Sequence, residues 1–186
     1  MSNSPNVAVL VGSLRKGSFS RRLAKAMMAL APSELKLSIV EIGDLPFYNE
    51  DLETESPPAE WKAFREKIAA SDALLFVTPE YNRSVPAVLK NALDVGSRPY
   101  GKSVWDGKPG AVVSNSPGAI SGFGANHHLR QSLVFLNVPA MQQPEAYIGE
   151  VHKLLGEDGK IANADTEEFL RGYMAAFAGW IGRNRG

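Results

Sequence analysis

Hydroxyl and cationic side chains crowd into one short stretch of this chain. Ser13-Leu14-Arg15-Lys16-Gly17-Ser18-Phe19-Ser20-Arg21 follows the apolar run Val7–Val11 and a single glycine, Gly12. The serines offer hydroxyl donors, and Arg15, Lys16 and Arg21 add positive charge. A helical pattern begins within the same stretch. Amides at a helix start have no intrahelical partner, and the helix dipole favours negative charge there. This order of strand, polar turn and helix suits a bound phosphate. An ordinary strand-to-helix turn with solvated basic residues explains the same composition, and the stretch alone does not separate the two readings.

Two more stretches carry chemistry-bearing residues. Thr78-Pro79-Glu80-Tyr81-Asn82-Arg83-Ser84-Val85-Pro86 is stiffened by proline at both ends. Its backbone can present N–H and C=O groups to a flat heterocycle, and Tyr81 offers an apolar face. A plain rigid connection rarely needs Glu, Tyr and Asn together. Ser114–Gly124 holds several glycines and serines, so its backbone could approach a ligand closely. It equally fits a flexible surface loop.

Several chemistries are disfavoured. None of the three stretches contains G-x-G-x-x-G or G-x-x-x-x-G-K-[ST], and no G-x-S-x-G occurs in the chain. Glu80 is the only carboxylate in the three stretches, so paired-carboxylate acid–base work has weak support. Adjacent His127 and His128 point about 100° apart on a helix and chelate poorly together, so no metal site is expected. The chain has no cysteine, which excludes disulfides, thiolate catalysis and thiolate metal sites. Redox chemistry would therefore need a borrowed cofactor.

The stretches must be positioned by the elements around them. Val7–Val11 and Ala73–Val77 are continuous apolar strands, as expected when both sheet faces are covered. Residues 35–40, 109–114 and the short Val138–Met141 complete five strands. Helical spacing is seen in Leu23, Met27 and Leu30; in Trp61, Phe64 and Ile68; in Leu89, Ala92 and Leu93; and from about His127 to Phe135. A last helix carries Phe169, Tyr173, Phe177, Trp180 and Ile181, with Asp165 and Glu168 as its capping box. Its aromatic stripe reads as core packing, or as an oligomer interface. Residues 149–163 read as polar loop. Strands alternating with helices predict an α/β fold: a flavodoxin-like doubly wound five-stranded parallel sheet, order 2-1-3-4-5. Residues 1–186 read as a single domain. In such a sheet ligands bind beyond the carboxyl ends of the strands, where the stretches after strands one, three and four all lie.

Whole-chain properties agree. Of 186 residues, 44% are apolar and 22% charged, with 20 basic and 20 acidic side chains. Zero net charge argues against a dedicated nucleic-acid binder. No run reaches the ~18 apolar residues of a membrane span. Met1–Pro5 lacks the charged and apolar regions of a secretory signal, so a cytoplasmic location is expected.

Gly12-Ser-Leu-Arg-Lys-Gly-Ser-Phe-Ser, Pro79-Glu-Tyr-Asn-Arg-Ser-Val-Pro and Leu89-Lys-Asn-Ala-Leu-Asp together resemble the NADPH-dependent FMN reductase family, in particular its bacterial quinone and chromate reductase branch. The resemblance spans roughly Val7 to Trp180. It implies FMN as cofactor, NADPH or NADH as electron donor, and a homodimer or homotetramer. It further implies that Ser13, Leu14, Arg15, Lys16, Gly17, Ser18, Phe19 and Ser20 hold the FMN phosphate through side chains and intervening backbone. Pro79, Glu80, Tyr81, Asn82 and Arg83 would flank the isoalloxazine, and Ser116, Pro117 and Gly118 would close over it. Ser20 stands where the family often has asparagine. Arg83 is variable in the family and would face substrate, NADPH phosphate or a neighbouring subunit.

No protein side chain is implied as catalytic, because the flavin carries the hydride. The implied activity is two-electron, ping-pong reduction of small-molecule electron acceptors: quinones, and more broadly chromate, azo and nitro compounds. A flavodoxin-like electron carrier and a non-enzymatic flavin-binding sensor are the alternatives. Such carriers are usually strongly acidic, which this chain is not.

Overall fold

Apolar residues without alternation have to be covered on both sides, and the sheet does this for its central strands. The computed structural model describes residues 4–156 and 159–185. The first three residues of the N-terminal stretch, residues 157–158 of the 149–163 connection and residue 186 lie outside them. In chain order the elements are β1 (Asn6–Val11), α1 (Phe19–Leu30), β2 (Lys36–Ile39), α2 (Ala59–Ala69), β3 (Ala73–Thr78), α3 (Ala87–Gly96), β4 (Gly110–Asn115), α4 (Phe123–Phe135), β5 (Ala146–Ile148), α5 (Val151–Leu154) and α6 (Ala164–Asn184). All strand pairs are parallel, and the order is β2-β1-β3-β4-β5, as expected.

Odd and even positions of each strand feed opposite cores. Val7, Val9, Val11, Leu75, Val77 and Val113 pack with Leu23 and Met27 of α1 and with Tyr173, Phe177 and Ile181 of α6. Ala8, Leu10, Leu74, Phe76 and Val112 pack with Trp61 and Phe64 of α2, Leu89 of α3 and Leu129 of α4. The aromatic stripe of α6 is therefore mainly core. Its Tyr173 hydroxyl donates to Val112 O at 3.0 Å, so the one polar atom of that ring is satisfied.

The register sets up the binding edge. Val11 pairs with Val77, and Thr78 with Ser114. Three strands thus end at nearly one level, and their following loops emerge side by side.

Four expectations change. Val138–Met141 is not the fifth strand; it touches β4 only at Gly110, which bridges to Ala140. Pro139 and Pro144 have no N–H to give a ladder, so pairing resumes only at Ala146, opposite Val113. A three-residue strand is too short to show as periodicity. Helix α4 begins four residues before His127. The cap of α6 is Asn163, whose side chain accepts from Thr166 N at 2.8 Å; Asp165 lies inside the first turn. The connection 149–163 also contains α5 and a bridge between Leu155 and Ile161.

Trp105, in the connection between α3 and β4, is wholly buried and donates from Nε1 to Leu93 O at 3.0 Å. It sits against Gly96, where an added Cβ would come within 2.5 Å of the indole. Overpacking costs about 1–3 kcal/mol, more than the roughly 0.5–1 kcal/mol that alanine gains over glycine in a helix. Gly96→Ala is expected to lower the urea midpoint, with a net loss of about 1–2 kcal/mol and an unchanged denaturant slope.

Candidate functional site

The first loop is shaped by a close approach. An added Cβ at Gly12 would lie 3.0 Å from Thr78 Oγ1 and 3.2 Å from Pro79 Cδ, so glycine lets the first and second loops meet. Ser13 is buried, whereas Arg15, Lys16 and Gly17 are exposed. Leu14 rests on Gly43. Ser18 caps α1: its hydroxyl accepts from Arg21 N at 3.1 Å and so keeps its own proton for an outside acceptor. The amides of Phe19 and Ser20 open the helix and have no intrahelical acceptor.

The cations of this stretch divide. Arg21 Nη1 donates to Glu41 at 2.7 Å, and this bond holds the Glu41 carboxyl below its usual range. Arg22 donates to the Leu155 carbonyl at 3.1 Å and lies over the Phe19 ring. Arg21 therefore serves the fold, and Arg15 and Lys16 remain as the projecting charges of the loop.

Ser20 is buried against Asn115 at the end of β4. Asn115 Nδ2 donates to Ser20 Oγ at 3.0 Å and to Thr78 O at 3.2 Å. One side chain thereby ties the ends of β3 and β4 to the head of α1. Asn115 was not singled out from sequence; its only signal was a polar residue closing an apolar strand.

The second loop contains a tight turn. Tyr81 N donates to Ser84 O at 3.1 Å, and Ser84 N donates back to Tyr81 O at 2.9 Å. Asn82 and Arg83 between them have φ of 49° and 64°. Tyr81 is exposed at the surface, and Glu80 is turned inward: its Oε2 accepts from Ala125 N of α4 at 2.9 Å. In the third loop Ser116 Oγ accepts from Gly118 N at 3.0 Å, a local turn that carries Pro117 at its tip. Ile120 stands exposed beside it.

The two histidines face different partners. His128 Nδ1 meets Ser84 Oγ at 2.9 Å, and His127 Nε2 meets the Tyr147 hydroxyl at 2.9 Å. Burial and the Glu145 carboxylate push the Tyr147 phenol up to about 12. Tyr147 thus stays protonated and donates to Glu145, which makes His127 Nε2 the donor to Tyr147. Among the described residues no cluster of three or more His, Asp or Glu could hold a metal ion.

The three loops emerge side by side where β1, β3 and β4 end, and the first two meet at Gly12. Two hollows lie elsewhere: one of about 590 Å³ beside Arg22, Ala26 and Ile161, and one of about 550 Å³ between α3 and α4 that begins at Ser84. Neither contains residues 13–20, 79–83 or 116–118.

Comparison with known proteins decides the family. The family model for NADPH-dependent FMN reductase matches residues 5–153. The chain belongs to that family. It is an oxidoreductase that uses FMN and NAD(P)H. A quinone reductase of Pseudomonas putida is 63% identical over 185 residues, covering 100% of this chain and 99% of the relative. A 2-hydroxy-1,4-benzoquinone reductase of a Burkholderia species is 47% identical, covering 94% and 95%. The solved structure of FerB, a flavoenzyme NAD(P)H:(acceptor) oxidoreductase from Paracoccus denitrificans, superposes with a TM-score of 0.91 at 42% identity, covering 97% of this chain and 98% of FerB.

The three loops fit FMN on their own chemistry. A phosphate monoester needs several donors and positive charge, and Ser13, Ser18, the open amides of α1 and Arg15 lie together in the first loop. Tyr81 and Ile120 give the other end an apolar rim.

Removing the Asn115 amide leaves Thr78 O and Ser20 Oγ short of a donor in a buried place. Asn115→Ala is expected to cost about 1–3 kcal/mol of stability by urea unfolding of the flavin-free protein.

Proposed function

We propose that this protein is an FMN-dependent NAD(P)H:quinone oxidoreductase, working as one FMN-binding domain over its whole length. The observation that carries this is the meeting of phosphate-type donors in the first loop with neighbouring loops whose single carboxylate, Glu80, is already engaged within the protein. Loops whose one carboxylate is engaged offer no carboxylate pair for acid–base work, which fits electron transfer carried by a cofactor. The close quinone reductase relatives support quinones as acceptors.

Bound FMN would supply the two-electron hydride chemistry between NAD(P)H and the acceptor. The chain's own residues bind, orient and shield. Ser13, Arg15, Ser18 and the backbone from Leu14 to Ser20 would hold the phosphate, with Lys16 adding charge. Ser20 has its hydroxyl on Asn115, so its contribution is through its amide and through loop placement. Pro79 to Arg83 would lie along the ring, largely through backbone groups, and Ser116, Pro117 and Gly118 would cover it. Backbone N–H groups aimed at the ring's N1–C2 edge would stabilise the reduced form.

A flavin left open on one face would make donor and acceptor alternate there, in ping-pong order. The balance is NAD(P)H, a proton and a quinone to NAD(P)⁺ and a hydroquinone. An apolar-rimmed site also suits chromate, azo and nitro acceptors. Arg83, exposed at the turn, would face substrate, NADPH phosphate or a neighbouring subunit. A cytoplasmic location agrees with the NAD(P)H requirement, and among the described residues no helix is long and apolar enough to cross a membrane.

A homodimer or homotetramer is the assembly we propose. Tyr100, Val134 and Phe135 stand 89%, 78% and 81% exposed beside the groove between α3 and α4. Such apolar side chains in one area favour a partner surface. Phe135→Glu is expected to reduce the mass in light scattering to a smaller assembly.

The deciding experiment is FMN reconstitution followed by NAD(P)H oxidation with a quinone. Turnover that requires FMN supports the reading; FMN binding without turnover overturns it. Arg15→Gln is expected to weaken FMN binding roughly tenfold or more, the value of a lost charge-assisted hydrogen bond, and to leave riboflavin binding unchanged. Flavin fluorescence titration reads both.

A further inference from the structure

A carboxylate in a loop meant for a flat heterocycle needs a reason, and Glu80 has one inside the protein. Helix α4 begins at Phe123 behind Gly122, a left-handed cap residue at φ 74° with no side chain to offer. The third amide of a helix is where a capping side chain normally accepts. Here that amide, Ala125 N, donates to Glu80 Oε2 at 2.9 Å, while Arg83 Nη1 lies 3.3 Å from Oε1. The Glu80 side chain is only 11% exposed. Both of its oxygens are engaged, so it is not a free base.

What this contact holds is strained. Asn82 and Arg83 both sit at positive φ, and non-glycine residues keep that conformation only where their surroundings over-determine it. Around the turn, Ser84 is fixed to His128 of α4 and Glu80 to Ala125 of α4. Gly124 completes the fit: an added Cβ would lie 2.7 Å from Arg83 O and 3.0 Å from Glu80 Oε2. The second loop is therefore seated on the first turn of α4, the helix that the third loop leads into.

We propose that Glu80 is a positioning residue for the flavin ring. By capping α4 from the second loop, its carboxylate locks the Tyr81–Ser84 turn to that helix and sets the spacing between the two loops that receive the ring. The ring's part in this rests on the FMN reading above; the coupling of turn to helix does not.

The test uses the full chain with Glu80→Ala, Glu80→Gln and Gly124→Ala. Hydrogen exchange is followed in the flavin-free protein at the amides of Tyr81, Ser84 and Ala125, and at β3 and β4. FMN affinity and the visible flavin spectrum are followed on reconstitution. Glu80→Ala is expected to speed exchange at the three amides roughly tenfold and to weaken FMN binding by a similar factor, with β3 and β4 unchanged. Glu80→Gln keeps an oxygen for Ala125 N and should restore most of both. Gly124→Ala should reproduce the Glu80→Ala pattern by pushing the turn away.

Unchanged exchange at Tyr81 and Ser84 in Glu80→Ala overturns the proposal. So does a glutamine variant no better than the alanine one, or exchange that rises throughout β3 and β4, which would mark a general loss of stability. Should the wild-type protein take up no FMN, the FMN reading falls together with the flavin half of this proposal, and the exchange pattern still decides whether Glu80 holds the turn.

Discussion

The amide of Asn115 reaches both ways from the end of β4, to the Ser20 hydroxyl at the head of α1 and to the carbonyl of Thr78 at the end of β3. In a parallel sheet each strand ends with backbone groups that the ladder no longer pairs, and the chain must leave towards a helix on one face. Here β1 leads to α1 on one face while β3 and β4 lead to α3 and α4 on the other, which opens a crevice between the loops after β1 and β3. Asn115 adds a buried link to the direct contacts these loops make at Gly12 and at Glu80. Asn115 supplies the connection without charge, so it costs little to bury once its donors and acceptor are used. Ser20 is the small partner that leaves room for it.

Charge is sorted in the same way. Four cations lie between positions 15 and 22, but Arg21 is turned to Glu41 and Arg22 to the carbonyl at Leu155. Arg15 and Lys16 are left projecting from the first loop. In the second loop the one carboxylate is drawn inward by the first turn of α4. Such sorting suits an FMN oxidoreductase, in which the protein contributes orientation and electrostatics to a reaction the cofactor carries.

Much of this was legible from the chain alone. Val7–Val11 and Ala73–Val77 announced central parallel strands because nothing in them could face water. The stretches at 12–21, 78–86 and 114–124 were recognisable as the connections that follow the first, third and fourth strands, from the glycines, prolines and hydroxyls that end each apolar run. The errors have local causes. Val138–Met141 is the more apolar run, yet prolines deny it a ladder and the shorter Ala146–Ile148 takes the sheet position. The first turn of α4 looked like loop because Gly122 and Gly124 surround Phe123, and its cap comes from a residue far away in sequence.

The motifs at 12–20, 79–86 and 89–94 carry the resemblance to the family, and the alternation of strands and helices carries the doubly wound fold, because both are written in single stretches of chain. What each polar group in the three loops does depends on contacts between elements. Arg21, Ser20 and Glu80 all sit in or beside those loops, and each spends its side chain on a partner from another element. The partners Glu41, Asn115 and Ala125 lie 20, 95 and 45 positions away. No local pattern can announce such contacts, because their geometry exists only once the parallel register has brought the three strand ends to one level.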